Sequence, residues 1–495
     1  MTQKSIKKNF AYNTILRILN IIFPIITFPY VARVLSPEGI GKVDFSLSII
    51  QYFVLIANLG IPTYAVRECA KIRDDKDKLT QTFQEIFGIN MLALVLSYIL
   101  FTFVVLNVNQ LNSYRKILII ASFNILTTSI GMEWFYQAIE EYKYITIRSI
   151  FVKLISLVAI FLFVRDENDI INYALITVLS TSLGYIYNFI HVRKYIYFFK
   201  RYRHYNFKRH LKPILLLFAM NLSVSIYVNL DKVMLGFLAD DTAVGLYTAA
   251  NKMVKVILAL VTSLGVVLLP RMSYYIENNE DILVKRLINK SFNFILMISI
   301  PATIGIFMLA EAIILLYAGP NYIEAIPTIR IISPIIIAIG LSNLIGIQIL
   351  TSYGKEKITL VSTLIGAIIN FTLNLLLIPS MQQNGAAIGT IVAESSVTII
   401  QLIFAHSYLK GNVKWKTIYS YLLGGALIVL VTSTLKYLIA NILLFTFLSV
   451  MLSIFAYFGF LYIIKNEMVY EMINKSLVLI KRMFANYFNR RRKNG

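Results

Sequence analysis

Fourteen apolar runs, each near the roughly twenty residues a helix needs to cross a bilayer, fill most of the 495 positions. They lie near 12–33, 43–64, 83–106, 115–136, 145–164, 170–191, 211–232, 243–269, 289–317, 327–351, 358–379, 385–406, 417–438 and 442–464. Polar residues inside them do not alternate with apolar ones as a strand would require. They recur three or four positions apart, as Asn13, Arg17, Asn20, Pro24 and Thr27 do in the first run, which places them on one helical face. The pattern predicts an all-α polytopic membrane protein of about 14 transmembrane helices.

A longer period overlies the helical one. The stretch YVARVLSPEGIGKVDF (30–45) and the stretch NLDKVMLGFLADDTAVGLYTAANK (229–252) both place charge between two apolar runs. At an offset of 204 residues Gly41 meets Gly245 and Arg67 meets Arg271, and Gly60 meets Gly265 with one residue of slip. This predicts two pseudo-symmetric six-helix lobes, 1–192 and 211–409, joined by a basic linker at 193–210. Each lobe has an even number of helices, so the copies share one orientation, a parallel-repeat transporter plan around a central cavity. Two extra helices follow in 410–464. The tail, 465–495, places Ile473, Leu477, Ile480, Phe484 and Tyr487 on one face and ends in RRRK, as an interfacial amphipathic helix does.

Composition sharpens this picture. Charged residues are 15% of the chain and hydrophobic residues 58%, with a mean hydropathy of +0.71, too greasy for a soluble domain. The net charge of +22 would suit nucleic acid, but its distribution argues topology. With the amino terminus inside, 35 of the 47 Lys and Arg fall in cytoplasmic segments and 8 in external ones. That bias follows the positive-inside rule and predicts both termini in the cytoplasm and no nucleic-acid partner. A single cysteine, Cys69, and four scattered histidines predict neither disulfide nor metal cluster, and no cofactor is expected. Neither Gly41-Lys42 nor Gly354-Lys355 completes a phosphate-cradling loop.

The polar faces carry the candidate chemistry. The first two helices of both lobes look toward something wet: Asn20 and Arg17 on the first, Asp44 and Gln51 on the second, Asn221 on the seventh with Asp231 just off its line, and Lys252 and Lys255 on the eighth. A charge held at mid-bilayer costs about 2.5–3.5 kcal/mol even on the lower scales. Arg17, Lys252 and Lys255 are therefore read as anion-binding cations, with structural pairing (for instance to Asp231) as the rival. Glu133 and Glu394 are candidates for a proton or sodium site, although a partnered structural carboxylate is the more ordinary role. Lys153 reads as packing within its lobe.

The run FPYVARVLSPEGIGKVDFSLSIIQYF with ANLGIPTYAVRE (57–68), GPNYIEAIP (319–327) and NGAAIGT (384–390) resembles the Wzx-type bacterial polysaccharide flippases, kin of lipid II flippases and MATE-type exporters. The resemblance implies two six-helix bundles and alternating access. It also implies, as substrate, an oligosaccharide repeat unit on undecaprenyl pyrophosphate, turned from the cytoplasmic to the external leaflet of the bacterial plasma membrane. Arg17, Lys252 and Lys255 would then neutralise the pyrophosphate, and Asn20, Gln51 and Asn221 would serve the sugars. Asp44, Asp231, Glu394 or Glu133 would couple H+ or Na+ or gate the path. Membrane lipids, a polysaccharide polymerase and glycosyltransferases are the implied partners. A MATE-like drug exporter is the first alternative, disfavoured by a cationic cavity. A lipid-linked-sugar enzyme is the second, disfavoured because no external loop is long enough to be catalytic.

Overall fold

The computed structural model describes residues 6–409, 415–472 and 474; all five residues of the amphipathic face expected in the tail lie outside them. The described chain is helical and carries no strand. Its helices are α1 (Ile6–Val34), α2 (Pro37–Asn58), α3 (Ile61–Lys71), α4 (Lys76–Asn107), α5 (Arg115–Gly131), α6 (Glu133–Ala138), α7 (Tyr142–Phe163), α8 (Ile170–His191) and α9 (Lys208–Leu238). They continue as α10 (Asp241–Glu277), α11 (Asp281–Met308), α12 (Ala310–Tyr317), α13 (Ala325–Ile332), α14 (Ile335–Ser342), α15 (Glu356–Leu409), α16 (Trp415–Leu438) and α17 (Ile442–Ile463).

Among the described residues 12 helical segments are long and apolar enough to cross a membrane. One of them, α15, is broken at Gln382, whose φ of 47° is not helical. That break falls in the uncharged SMQQN turn where the sequence separates two runs. Rows of exposed leucine, isoleucine and phenylalanine, such as Leu92, Leu96, Ile99 and Phe103 on α4, would be a liability in water. They are the expected surface of a chain dissolved in lipid.

Two compact units emerge: residues up to Ala249 with Tyr317–Ala325 and Ala367–Gly389, and Ala250–Leu316 with Ile326–Gly366 and Thr390 onward. In the first unit α2 packs against α4, α5, α8 and α9. It begins with Ser36, whose Oγ accepts the Gly39 N–H at 3.3 Å, and Pro37 at its first turn. The offset-204 partner of Ser36 is Asp240, whose Oδ1 accepts the Ala243 N–H at 2.8 Å, so the two aligned positions each cap a helix start through a side-chain oxygen. The two aligned glycines, Gly41 and Gly245, meet here. A Cβ on Gly41 would stand 1.7 Å from the Asp241 carbonyl oxygen, and one on Gly245 would stand 2.0 Å from that of Pro37. The charged turns also meet, with Lys232 Nζ 3.3 Å from Asp44 Oδ2, and from the segment between α4 and α5 the Tyr114 hydroxyl donates to Asp241 at 2.7 Å.

The basic linker is fastened along α4. Gln84 Nε2 donates to the carbonyls of Phe198 and Lys200, and the Tyr202 hydroxyl donates to Asp77. At its end sits a buried knot in which Glu85, fully enclosed, receives Arg209 at 2.6 Å, His210 Nε2 at 2.8 Å and the Asn206 N–H at 2.8 Å. His210 Nδ1 is in turn 2.7 Å from the Tyr64 hydroxyl. Removing one member of a buried charged network costs about 3–5 kcal/mol, with the lower end expected because Arg209 is half exposed. Glu85→Ala should therefore melt well below the wild type in detergent, and Glu85→Gln should fall between them. Identical melting of all three would show that the knot does not hold the linker.

Candidate functional site

A polar cavity of about 530 Å³ opens inside the first unit between α2, α5, α6 and α8. Gln51 and Asn58 face it from α2, Asn124 and Thr128 from α5, and Thr177 and Thr181 from α8, each pair set by helical spacing. Met132, with φ 41°, ends α5 and starts the short α6, a reversal that presents Glu133, Trp134 and Gln137 to the same space. Gly131 admits the Tyr185 ring, because a Cβ there would lie 2.5 Å from the tyrosine.

The charge in this cavity is balanced. Glu133 Oε2 accepts from Arg148 at 3.0 Å, and Arg148 also donates to the Gly184 carbonyl at 3.1 Å while its guanidinium lies 5.8 Å from the Tyr185 ring centre. Arg148, one of the 35 Lys and Arg counted to cytoplasmic segments although it stands in the 145–164 run, is nearly enclosed, with 8% of its side chain exposed. The other polar groups split into two kinds. Asn124 Oδ1 accepts from Thr181 and Ser182, so it is engaged by the protein. Gln51, Asn58 and Gln137 have no protein hydrogen-bond partner among the described residues, and the Trp134 indole N–H is buried without one. The three amides are open to the cavity and can pair with water or with a ligand rich in hydroxyls, whereas the indole N–H, with almost no accessible surface, is closed to both.

The remaining predicted residues are scattered. Arg17 is exposed on α1; Asn20 accepts from Lys153 Nζ at 2.7 Å, in keeping with a packing role for that lysine. Asp44 is paired with Lys232. Asp231 is buried and accepts from Asn370 at 3.0 Å, Asn374 at 2.8 Å and the Tyr247 hydroxyl. Asn221 is half-buried on α9. Lys252, half-buried, Lys255, exposed, and Glu394, half-buried, belong to the second unit. Gln51 and Glu133 are thus the two predicted residues that share the polar cavity. Sequence reasoning missed Asn124, Thr128, Thr177 and Thr181, although their four-residue spacing is the signal it used elsewhere.

The second unit holds a different space, a groove of about 370 Å³ that is almost wholly apolar. Ile257 and Leu260 of α10, Pro301 and Gly305 of α11 and Val450 and Ile454 of α17 line it. Tyr457 closes one wall, its hydroxyl donating to the Met297 carbonyl at 3.0 Å.

The segments that carry the family resemblance, apart from Ile326, Pro327 and Thr390, belong to the first unit. Phe28 stacks on Tyr317 at 5.0 Å and meets Tyr322 at 6.2 Å. Gly319, at φ 98°, allows the turn of GPNYIEAIP. Gly389 of NGAAIGT lies so close to Asn374 that a Cβ would be 2.4 Å from its side-chain oxygen.

Residues 6–276 match the family model described as polysaccharide biosynthesis protein, and residues 217–376 match the MatE model. A putative O-antigen transporter of Escherichia coli (strain K12) is 27% identical over 413 residues, covering 81% of this chain and 97% of that protein. Lipid II flippase MurJ of Bacillus subtilis (strain 168) is 28% identical over 156 residues, 31% of this chain and 28% of that protein. Among solved structures, a lipid II flippase MurJ in an inward closed conformation superposes with a TM-score of 0.76 at 15% identity, covering 93% of this chain and 99% of that one. An inward-facing MATE family multidrug resistance transporter gives 0.61 at 12% identity, over 79% and 94%. At these identities the two likenesses establish the fold, a helical membrane architecture common to both. With the first family model spanning more than half of its residues, the chain belongs to the polysaccharide biosynthesis protein family.

Proposed function

We propose that the protein is a flippase for lipid-linked saccharides, carrying an oligosaccharide on undecaprenyl pyrophosphate from the cytoplasmic to the external leaflet by alternating access. The observation that carries this reading is the polar cavity of the first unit. Free amides, hydroxyls and an aromatic ring beside a neutralised carboxylate are what a sugar of many hydroxyls requires. A hydrophobic drug would leave those groups unmatched. The apolar groove of the second unit, walled in part by α17, suits a polyprenyl chain. Kinship with a putative O-antigen transporter supports the same substrate class. Coupling to H+ or Na+ through Asp44, Asp231, Glu133 or Glu394, both termini in the cytoplasm, and work alongside a polymerase and glycosyltransferases belong to this reading.

Arg17, Lys252 and Lys255 are the cations assigned to the pyrophosphate. Lys252 and Lys255 stand about one turn apart on α10 and place two positive charges close together, which an anionic group can bridge. Lys252→Gln with Lys255→Gln should abolish surface polysaccharide in a flippase-deleted strain while the protein remains inserted and abundant. Lys→Arg replacements, which keep the charge, should retain part of the activity. Normal polysaccharide from the double Gln variant at wild-type protein levels would remove these lysines from the site.

A further inference from the structure

A second cavity of the first unit, about 700 Å³, lies between α7 and α8 on the other side of Arg148 from the polar interior. Its polarity is graded. One end, where α7 begins and α8 passes into the basic linker, presents Lys143 and Lys194, both exposed and without a carboxylate partner among the described residues. The carboxylate that shares this end, Glu141, already accepts the Tyr195 hydroxyl at 3.0 Å. Next along the groove the rings of Tyr144, His191 and Tyr187 stack, Tyr144 on His191 at 4.4 Å and Tyr187 on His191 at 6.0 Å. The His191 Nδ1 is buried there with no hydrogen-bond partner. Beyond the rings Ile147, Phe151 and Ile155, four residues apart on α7, are 50%, 67% and 50% exposed.

We propose that this groove is a binding site for an anionic glycerophospholipid, its phosphate between Lys143 and Lys194 and one acyl chain along Ile147, Phe151 and Ile155. The occupant must match a cationic mouth and an apolar floor within one length of helix, which is the chemistry of a lipid with a negative head. A choline head would need open aromatic faces, but these rings turn their faces on one another at interplanar angles of 8°, 17° and 26°. Arg148 bounds the groove on its inner side, tied to Glu133, so the site is separate from the saccharide cavity and does not depend on the transport reading.

The test uses the full chain in nanodiscs of equimolar phosphatidylglycerol and phosphatidylcholine with identical acyl chains, and no saccharide. After detergent extraction, lipid retained per protein is counted by native mass spectrometry. Two juxtamembrane cations favour an anionic head by roughly tenfold or more, so the wild type should retain phosphatidylglycerol by about that factor. Lys143→Gln with Lys194→Gln should abolish the preference, while Lys285→Gln, in the second unit, should not alter it. Equal retention of the two lipids by the wild type, or an unchanged preference in the double variant, overturns the proposal. A photoactivatable phosphatidylglycerol probe on the unmodified protein gives a reading that needs no variant. Cross-links in 142–155 and 183–195 support the site, and cross-links confined to other segments refute it.

Discussion

Replacing Gln51 and Gln137 together by leucine is expected to abolish saccharide transport while leaving the abundance and melting of the protein unchanged. Both amides line the polar cavity and neither side chain has a hydrogen bond to the protein among the described residues, so their loss removes no native hydrogen bond. A bound sugar, by contrast, loses its partners for several hydroxyls. A polar group of the ligand left unmatched in the site costs about 1–3 kcal/mol, so two lost amides should lower turnover by about one and a half to four orders of magnitude. Export of surface polysaccharide in a deletion strain, normalised to protein in the membrane, is the measurement. Asn124→Leu is the instructive contrast: its side chain accepts from Thr181 and Ser182, so that variant should lose stability as well as transport.

The other large effect is expected at the glycine crossing. Gly41→Ala or Gly245→Ala places a methyl group 1.7 Å or 2.0 Å from a backbone oxygen. The obstacle is main chain in both cases, so no rotamer change relieves it. The cost should reach or exceed the ~3 kcal/mol upper end of ordinary overpacking. Because the same crossing brings Lys232 to Asp44, separating the helices would also strand a buried charge. Either alanine should leave little folded protein in size-exclusion profiles of detergent extracts. Gly305→Ala, where an added Cβ meets nothing within 4 Å, should behave as the wild type. Wild-type yield from both crossing variants would mean that α2 and α10 do not meet as described.

These glycines also measure how far the sequence could be read. The 204-residue offset aligned Gly41 with Gly245 and predicted a shared local design, and the matching caps at Ser36 and Asp240 follow from the same alignment. What an offset does not carry is contact: that the two turns would meet each other follows from packing, not from either turn alone. The same limit applies to the polar stripes. A stripe identifies the face of a helix but not its partner, so Asn20 on α1 gave no sign of Lys153, 133 residues away. Hydropathy counted Arg148 with the cytoplasmic cations because it stands near the start of an apolar run. Its ion pair with Glu133 depends on the turn at Met132, whose φ of 41° no pattern of apolar residues announces. The family segments were legible as a resemblance, and in the structure they are joints of the first unit: Phe28 on Tyr317, Gly319 in its turn, Gly389 against Asn374.

The account rests on the movement of a saccharide-bearing lipid, and reconstitution tests that directly. Purified protein in liposomes would be given a fluorescent undecaprenyl-pyrophosphate oligosaccharide in both leaflets, with a membrane-impermeant reductant added outside. The wild type should let the reductant reach nearly all of the fluorophore, and the Gln51→Leu, Gln137→Leu variant should protect the inner half as protein-free liposomes do. Protection of the inner half by the wild type, or full exposure by the variant, would contradict the assignment of the polar cavity to saccharide transport.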